Sequence, residues 1–227
     1  MQSSRLRIGI ISAEKSGDYL AASFIESLKS SGRDFELFGI GGKELDKFNI
    51  SRPQDFDREI LNVMGIIDPL KNLRQILRAR KQILDFLISK NINIFIGVDS
   101  PDLNSFFHKK LKKINSTINF QIVSPSVWAW RSGRVKQLRK FVDTTFCLFK
   151  FEHEYLKKNN VNSFHVGHPF QDIEKVEDVS SIKNRYEIKN DSECLTFLVG
   201  SRRSEISNML SIYKKVIKKV YESDKSF

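Results

Sequence analysis

Residues 93–104 read N-I-F-I-G-V-D-S-P-D-L-N, and how this stretch is read decides the fold. Its first part, Ile94 to Val98, is apolar and mostly β-branched, as strands buried in a parallel sheet are. Pro101 cannot donate to a ladder, so the strand ends before it. Asp99 and Asp102 therefore stand at the carboxyl end of a strand, ahead of a helix starting near Leu103. In open α/β sheets that edge is where ligands bind. Two readings suit the carboxylates equally. In one, Asp99 is a turn residue and Asp102 a helix cap. In the other, a carboxylate does chemistry.

Outward from this strand the pattern alternates. Arg7–Ser12, Phe35–Ile40, Asn119–Val123, Thr144–Phe149 and the short Ser163–Val166 read as further strands. Helical spacing covers Asp18–Lys29 and stretches near 68–89, 103–114, 132–140 and 152–159. This order predicts an α/β fold, a parallel sheet with helices on both faces and right-handed crossovers. After Asp172 the chain turns polar. Residues 173–193 read as a linker with a short helical piece over Ser181–Tyr186. A strand over Cys194–Val199 then leads through Gly200-Ser201-Arg202 into a helix over Ser204–Tyr221. The expected organisation is a first domain over 1–172, a linker over 173–193 and the start of a second α/β domain over 194–227. One βα pair cannot bury its own apolar face.

Composition narrows the class. The chain has 227 residues, and at ~150 residues per domain that allows one domain and part of another. An apolar fraction of 40% supports a core. The net charge of +11 (38 Lys+Arg against 27 Asp+Glu) suits an anionic partner, or equally a Lys-rich composition on solvated faces. Cys147 and Cys194 lie far apart and outside any C-x-x-C, which fits a reducing compartment and no zinc or disulfide framework. No apolar run approaches the ~18 residues needed to span a bilayer. The first apolar run is short and meets Glu14, so it reads as a strand and not a signal peptide.

Several junctions carry possible chemistry. Ser12-Ala13-Glu14-Lys15-Ser16-Gly17-Asp18 is a small-residue turn into a helix start, either an anion contact or an ordinary turn capped by Ser16 or Asp18. It is neither a Walker A motif nor a dinucleotide fingerprint. Val63-Met64-Gly65-Ile66-Ile67 is apolar and precedes a stripe of Leu70, Leu73, Leu77 and Leu84 beside Lys71, Arg74, Arg78 and Lys81. That pairing suits an interfacial helix, or a core helix with a solvated basic face. Ser124-Pro125-Ser126-Val127-Trp128-Ala129-Trp130-Arg131 holds both tryptophans, which points to binding or to a plug on the sheet edge. Arg131, Arg134, Lys136, Arg139 and Lys140 could meet phosphate. Gly167-His168-Pro169 places His168 either at the ligand edge or in a local turn bond. Gly200-Ser201-Arg202-Arg203 suits a diphosphate.

Taken in order, S-A-E-K-S-G-D, F-G-I-G-G, V-M-G-I, G-V-D-S-P-D-L-N, S-P-S-V-W-A-W-R, G-H-P-F-Q-D and G-S-R resemble the lipid-A-disaccharide synthase family of outer-membrane bacteria. The resemblance runs the length of the chain, which corresponds to the N-terminal part of the family's length. It implies a GT-B type fold with two Rossmann-like halves: an acceptor-side first domain and a UDP-sugar-binding second domain. It implies an inverting glycosyltransferase that condenses UDP-2,3-diacylglucosamine with 2,3-diacylglucosamine 1-phosphate (lipid X), giving the β-1,6 lipid A disaccharide 1-phosphate and UDP. No metal and no other cofactor are implied. The partners implied are the two lipid substrates and the cytoplasmic face of the inner membrane, held peripherally, with a homodimer for the full-length protein. Nucleic acid is not expected, since no RNP-type strand or KH loop is present.

The resemblance puts the essential aspartate, a general base, on Asp99 and the essential arginine on Arg202. Substrate and phosphate contacts fall on Glu14, Ser16, Gly17, Ser126, Trp128, Trp130, Arg131, His168 and Ser201. The acyl-chain and membrane surface falls on Val63, Met64, Ile66, Ile67, Leu70, Leu73 and Leu77. Departures are Ala13 in place of glycine, Val199 in place of proline, and Arg203 in place of a small residue. Most of the donor-binding half is absent, so the alternative reading is a catalytically incompetent fragment that keeps lipid X or membrane binding.

Overall fold

The computed structural model describes residues 5–56, 73–114, 117–129, 133–172, 178–200 and 203–223. Its contacts divide the chain into two units, Met1–Ile173 and Glu174–Phe227.

Among the described residues the first unit carries six strands: β1 Leu6–Ser12, β2 Phe35–Ile40, β3 Ile94–Val98, β4 Ile118–Ile122, β5 Thr144–Cys147 and β6 Ser163–His165. They form one sheet in the order β2-β1-β3-β4-β5-β6, every neighbouring pair parallel. The α/β expectation therefore holds. The helices are α1 Lys15–Ser30, α2 Lys43–Asp46, α3 Leu73–Ser89, α4 Pro101–Ile114, α5 Gly133–Phe141 and α6 Lys150–Lys158. A 3-10 turn, Pro169–Asp172, follows β6.

Alternation along the strands feeds two cores. Ile8, Ile10, Leu37, Ile96 and Val98 pack with Ala21 and Ile25 of α1 on one face. Ile11, Phe38, Ile40 and Phe95 pack with Ile83, Leu87, Leu103, Phe107 and Leu111 of α3 and α4 on the other. Each fully buried Ile, Leu or Phe contributes about 1.5–3 kcal/mol relative to exposure. A third cluster, including Val135, Leu138, Cys147 and Leu156, sits under α5 and α6.

In the second unit, α7 Val179–Arg185 is capped by Asp178, whose carboxylate accepts from Ser180 N at 2.9 Å. A long helix, α8 Arg203–Ser223, follows. The strand expected over Cys194–Val199 is not formed: that segment joins no ladder among the described residues. A strand needs a neighbour for its N–H and C=O groups. Here the segment is tied instead to α8, with Tyr213 Oη donating to Leu198 O at 3.1 Å and Phe197 edge-on to Tyr213.

The leucine stripe also needs correcting. Leu84 is buried but Leu77, on nearly the same line of α3, is 52% exposed. The core side of the helix runs through Ile76, Ala79, Ile83 and Leu87. Arg74, Arg78 and Lys81 are exposed with Leu77. Lys71, Val63, Met64, Ile66, Ile67 and Leu70 lie outside the described residues, as does the Leu73 side chain.

Candidate functional site

The strand order sets the site. β1 lies between β2 and β3, so the connection leaving β1 runs one way across the sheet and the connection leaving β3 runs the other. The carboxyl ends of β1 and β3 bound the crevice where open α/β sheets bind ligands. Ser12 and Val98 are ladder partners there, so the turns after both strands meet. Gly17, in the first turn of α1, is buried. A Cβ at this position would lie 2.9 Å from Ser12 Oγ and 3.5 Å from Asp99 Cβ. The small residue is therefore what lets α1 approach the Asp99 turn.

That turn is strained. Asp99 and Ser100 adopt φ of +49° and +39°, and Val123, at the end of the neighbouring strand β4, adopts +71°. Side chains rarely take these values, least of all a β-branched one. Such conformations persist only where the surroundings over-determine them. Two buried side chains do so. Asn104 Nδ2 donates to Val98 O (3.2 Å) and Asp99 O (2.8 Å). Gln121 Nε2 donates to Asp99 O (3.1 Å), Ile122 O (3.0 Å) and Val123 O (3.3 Å). Pro101 then opens α4, with Leu103 N and Asn104 N both donating to Ser100 O.

Behind Gln121 lies His108, 2% exposed and edge-on to Phe95. Its Nε2 is 3.0 Å from Gln121 Oε1. The three carbonyls around Gln121 Nε2 orient that amide, so Oε1 accepts and His108 carries its proton on Nε2. Burial pushes the imidazole down to about 4, the Gln121 contact opposing this only in part, and it is neutral at pH 7.

The second turn of this edge follows β2. Asp18, 4% exposed in α1, accepts from Gly42 N (2.7 Å) and Glu44 N (2.8 Å) at the start of α2. Side chains at positions 41 or 42 would collide with Asp18 and Leu45, which accounts for the paired glycines of F-G-I-G-G. Asp18 is thus a structural carboxylate, one of the two cap residues offered by the sequence but capping α2 and not its own helix. Glu14 stands at the N-cap of α1 without a side-chain cap bond, and Ser16 is exposed beside it.

Asp102 lies within the first turn of α4, one residue inside the helix and not at the cap position expected of it. Its carboxylate pairs with Arg134 of α5, and Arg80 of α3 donates to its carbonyl at 3.2 Å while lying over the Phe106 ring. Three helices meet on this residue. Arg134, expected as a phosphate contact, is 14% exposed at its side chain and engaged in this pair.

The loop after β4 exposes Ser126 and Trp128 and buries Val127. Trp128 meets Phe151 edge-on at 5.1 Å, and Phe151 stacks on Phe149. His168 lies between Phe149 (6.2 Å) and Phe170 (4.7 Å), and Phe170 reaches Tyr19 at 5.6 Å. His168 Nδ1 accepts from Phe170 N at 3.1 Å, the local turn bond considered above. A row of half-exposed rings thus crosses the carboxyl edge. Its members come from four separate connections, so no local sequence pattern announces it. Asn104, Gln121 and His108 were missed for a different reason: a polar residue inside an apolar strand, such as Gln121 in N-F-Q-I-V, was the available signal.

Trp130, Arg131, Ser201 and Arg202 lie outside the described residues. Among the described residues no group of three or more His, Cys, Asp or Glu is placed to hold a metal, and no helix is long and apolar enough to cross a membrane. Burial raises the Cys147 thiol to about 12, which leaves it unreactive.

A family model described as lipid-A-disaccharide synthetase matches residues 8–227. A lipid-A-disaccharide synthase of Idiomarina loihiensis is 35% identical over 223 residues, covering 95% of this chain and 56% of that protein. One from Acinetobacter baylyi is 34% identical over 210 residues, covering 91% and 52%. One from Francisella philomiragia is 35% identical over 228 residues, covering 98% and 58%. The chain therefore spans little more than half the length of these relatives. A glycosyltransferase structure from Rickettsia africae aligns with a TM-score of 0.48 at 14% identity, over 83% of this chain and 51% of that one.

Proposed function

The chain belongs to the lipid-A-disaccharide synthetase family, and from that premise we propose that it carries the acceptor-side half, and the start of the donor-side half, of a GT-B type inverting glycosyltransferase. The reaction joins UDP-2,3-diacylglucosamine to lipid X in a β-1,6 linkage and releases UDP. The observation that carries the reading is the placement of Asp99 at the switch point, in a turn whose backbone is fixed by buried amides.

In this reaction Asp99 takes the proton of the acceptor 6-hydroxyl as that oxygen attacks the anomeric carbon from the face opposite the departing diphosphate. Inversion follows from the single displacement. Arg202 and the start of α8 neutralise the charge developing on the UDP oxygens. Glu14, Ser16, Gly17, Ser126, Trp128, Trp130, Arg131, His168 and Ser201 line the substrates. Val63, Met64, Ile66, Ile67, Leu70, Leu73 and Leu77 meet acyl chains and the cytoplasmic face of the inner membrane, and the complete protein works there as a peripheral dimer.

The test is disaccharide formation from both lipid substrates by a chain completed to the length of its relatives. Loss of turnover in Asp99→Ala, with lipid X still bound, supports the base assignment. Near-full turnover removes it.

A second reading is favoured by the unladdered Cys194–Val199 segment and by the exposed Leu210, Ile212 and Ile217 of α8. In that reading the 227-residue chain alone binds lipid X or membrane without turning over. Liposome sedimentation alongside the turnover assay separates the two, and a normal rate from the chain alone rejects the second.

A further inference from the structure

We infer that Asn104 and Gln121 are positioning residues, a pair of side-chain amides that clamps the main chain of the Asp99 turn and so aims its carboxylate. The inference rests on the reading of Asp99 as the reacting group.

The two amides converge on one atom. Asp99 O accepts from Asn104 Nδ2 at 2.8 Å and from Gln121 Nε2 at 3.1 Å. The remaining bonds go to Val98 O, Ile122 O and Val123 O, so every acceptor is a main-chain carbonyl where β3 or β4 ends. A turn with two consecutive left-handed residues before a proline is costly to hold. Asn104 holds it from the helix that follows, and the Gln121–Asp99 bond ties it to β4, 22 residues away in sequence.

The sheet is built to admit them. Gly97 is the ladder partner of Gln121. A Cβ on Gly97 would lie 2.8 Å from Asn104 Cβ and Cγ and 2.9 Å from Gln121 Oε1. The glycine opens the gap through which both amides reach the turn. Asn104 and Gln121 are 0% and 2% exposed, so no solvent competes for the bonds. His108 Nε2 meets the far end of Gln121, 3.0 Å from Oε1, while the carbonyls around Nε2 set which way the amide faces. A side chain kept only for packing would be matched in volume by methionine or leucine. Five donor–acceptor contacts on the backbone of a single pair of strand ends are not.

The test has two arms. In the 227-residue chain, backbone carbon shifts and three-bond HN–Hα couplings report the sign of φ at Asp99 and Ser100. Gln121→Met and Asn104→Ala are expected to lose the left-handed signature there, while the Leu6–Ser12 and Ile94–Val98 shifts stay within the sheet range. A signature retained in both variants overturns the clamp. Should either variant fold poorly, the wild-type chain decides. Slow exchange of the side-chain NH₂ protons of Asn104 and Gln121 is expected, and exchange as fast as in a free amide overturns it.

In the completed chain, Gln121→Met is expected to lower kcat about 10- to 100-fold with KM within about twofold, the pattern of a misplaced group. An unchanged kcat with the turn signature lost overturns the positioning role. Asp99→Asn measured in parallel keeps the two claims apart. If it retains activity, Asp99 is not the base, and the spectroscopic arm still decides the clamp.

Discussion

Two turns on the same sheet edge are held in opposite ways. After β2, the carboxylate of Asp18 is buried and holds the backbone itself, accepting from Gly42 N and Glu44 N. After β3, neutral amides hold the backbone of Asp99 by donating to its carbonyl. The first turn needs an acceptor because a helix start offers N–H groups. The second needs donors because strand ends offer C=O groups. A carboxylate cannot do the second job at pH 7, since it has no proton to give. The contrast assigns the two aspartates different roles although both lie in acidic small-residue motifs at strand ends.

The sharpest break of this comparison is kinetic. In the completed chain, Asp99→Asn is expected to lower kcat by about 10²–10⁴-fold, the usual worth of a general base. Its thermal midpoint is expected to stay close to wild type. Asp18→Asn should show the reverse, and a kcat loss in it equal to that of Asp99→Asn would end the distinction.

The next effect concerns the histidine behind the clamp. His108 is neutral in the fold and titrates near 4, against an ordinary value of 6.5. As pH falls below 6.5 the unfolded chain takes the proton first, so stability is full above that value and is lost as pH falls toward 4. The linkage amounts to about 3 kcal/mol. Denaturant unfolding at pH 7 and pH 4.5 measures it. His108→Gln keeps a donor toward Gln121 without titrating, and is expected to flatten the pH dependence.

A smaller loss follows from Asp18→Ala. It strands two backbone N–H groups at the start of α2 and is expected to destabilise the first unit by about 1–3 kcal/mol. Urea midpoints at fixed slope read it.

The smallest effect is on α3. Leu77→Ser alters an exposed position, so stability is expected to move by less than about 0.5 kcal/mol. Partition onto anionic phospholipid vesicles is expected to fall about fivefold if Leu77 meets the bilayer, the equivalent of about 1 kcal/mol of apolar contact. Unchanged partition would separate Leu77 from the proposed membrane surface.

Much of this was legible from residues alone. The strand over Ile94–Val98 matches the structure end for end, and the other five strands fall within two residues of their expected bounds. Apolar alternation and helical spacing are local, so they survive in a one-dimensional reading. Local reading failed where burial depends on what covers a position. Leu77 and Leu84 share a helical stripe, yet only Leu84 is covered. Cys194–Val199 has strand composition but joins no ladder among the described residues.

The sequence by itself determined that a parallel strand ends at Asp99, before Pro101, and that a helix follows within a few residues. Those facts follow from steric limits acting on neighbours in the chain. Only the tertiary structure decided that β1 lies beside β3, that Gly17 brings α1 close to the Asp99 turn, and that Gln121 reaches across Gly97 to hold that turn. The pairing of Ser12 with Val98 joins residues far apart in sequence, and no periodicity encodes such a partner. It is selected by the burial and hydrogen bonding of the whole sheet at once.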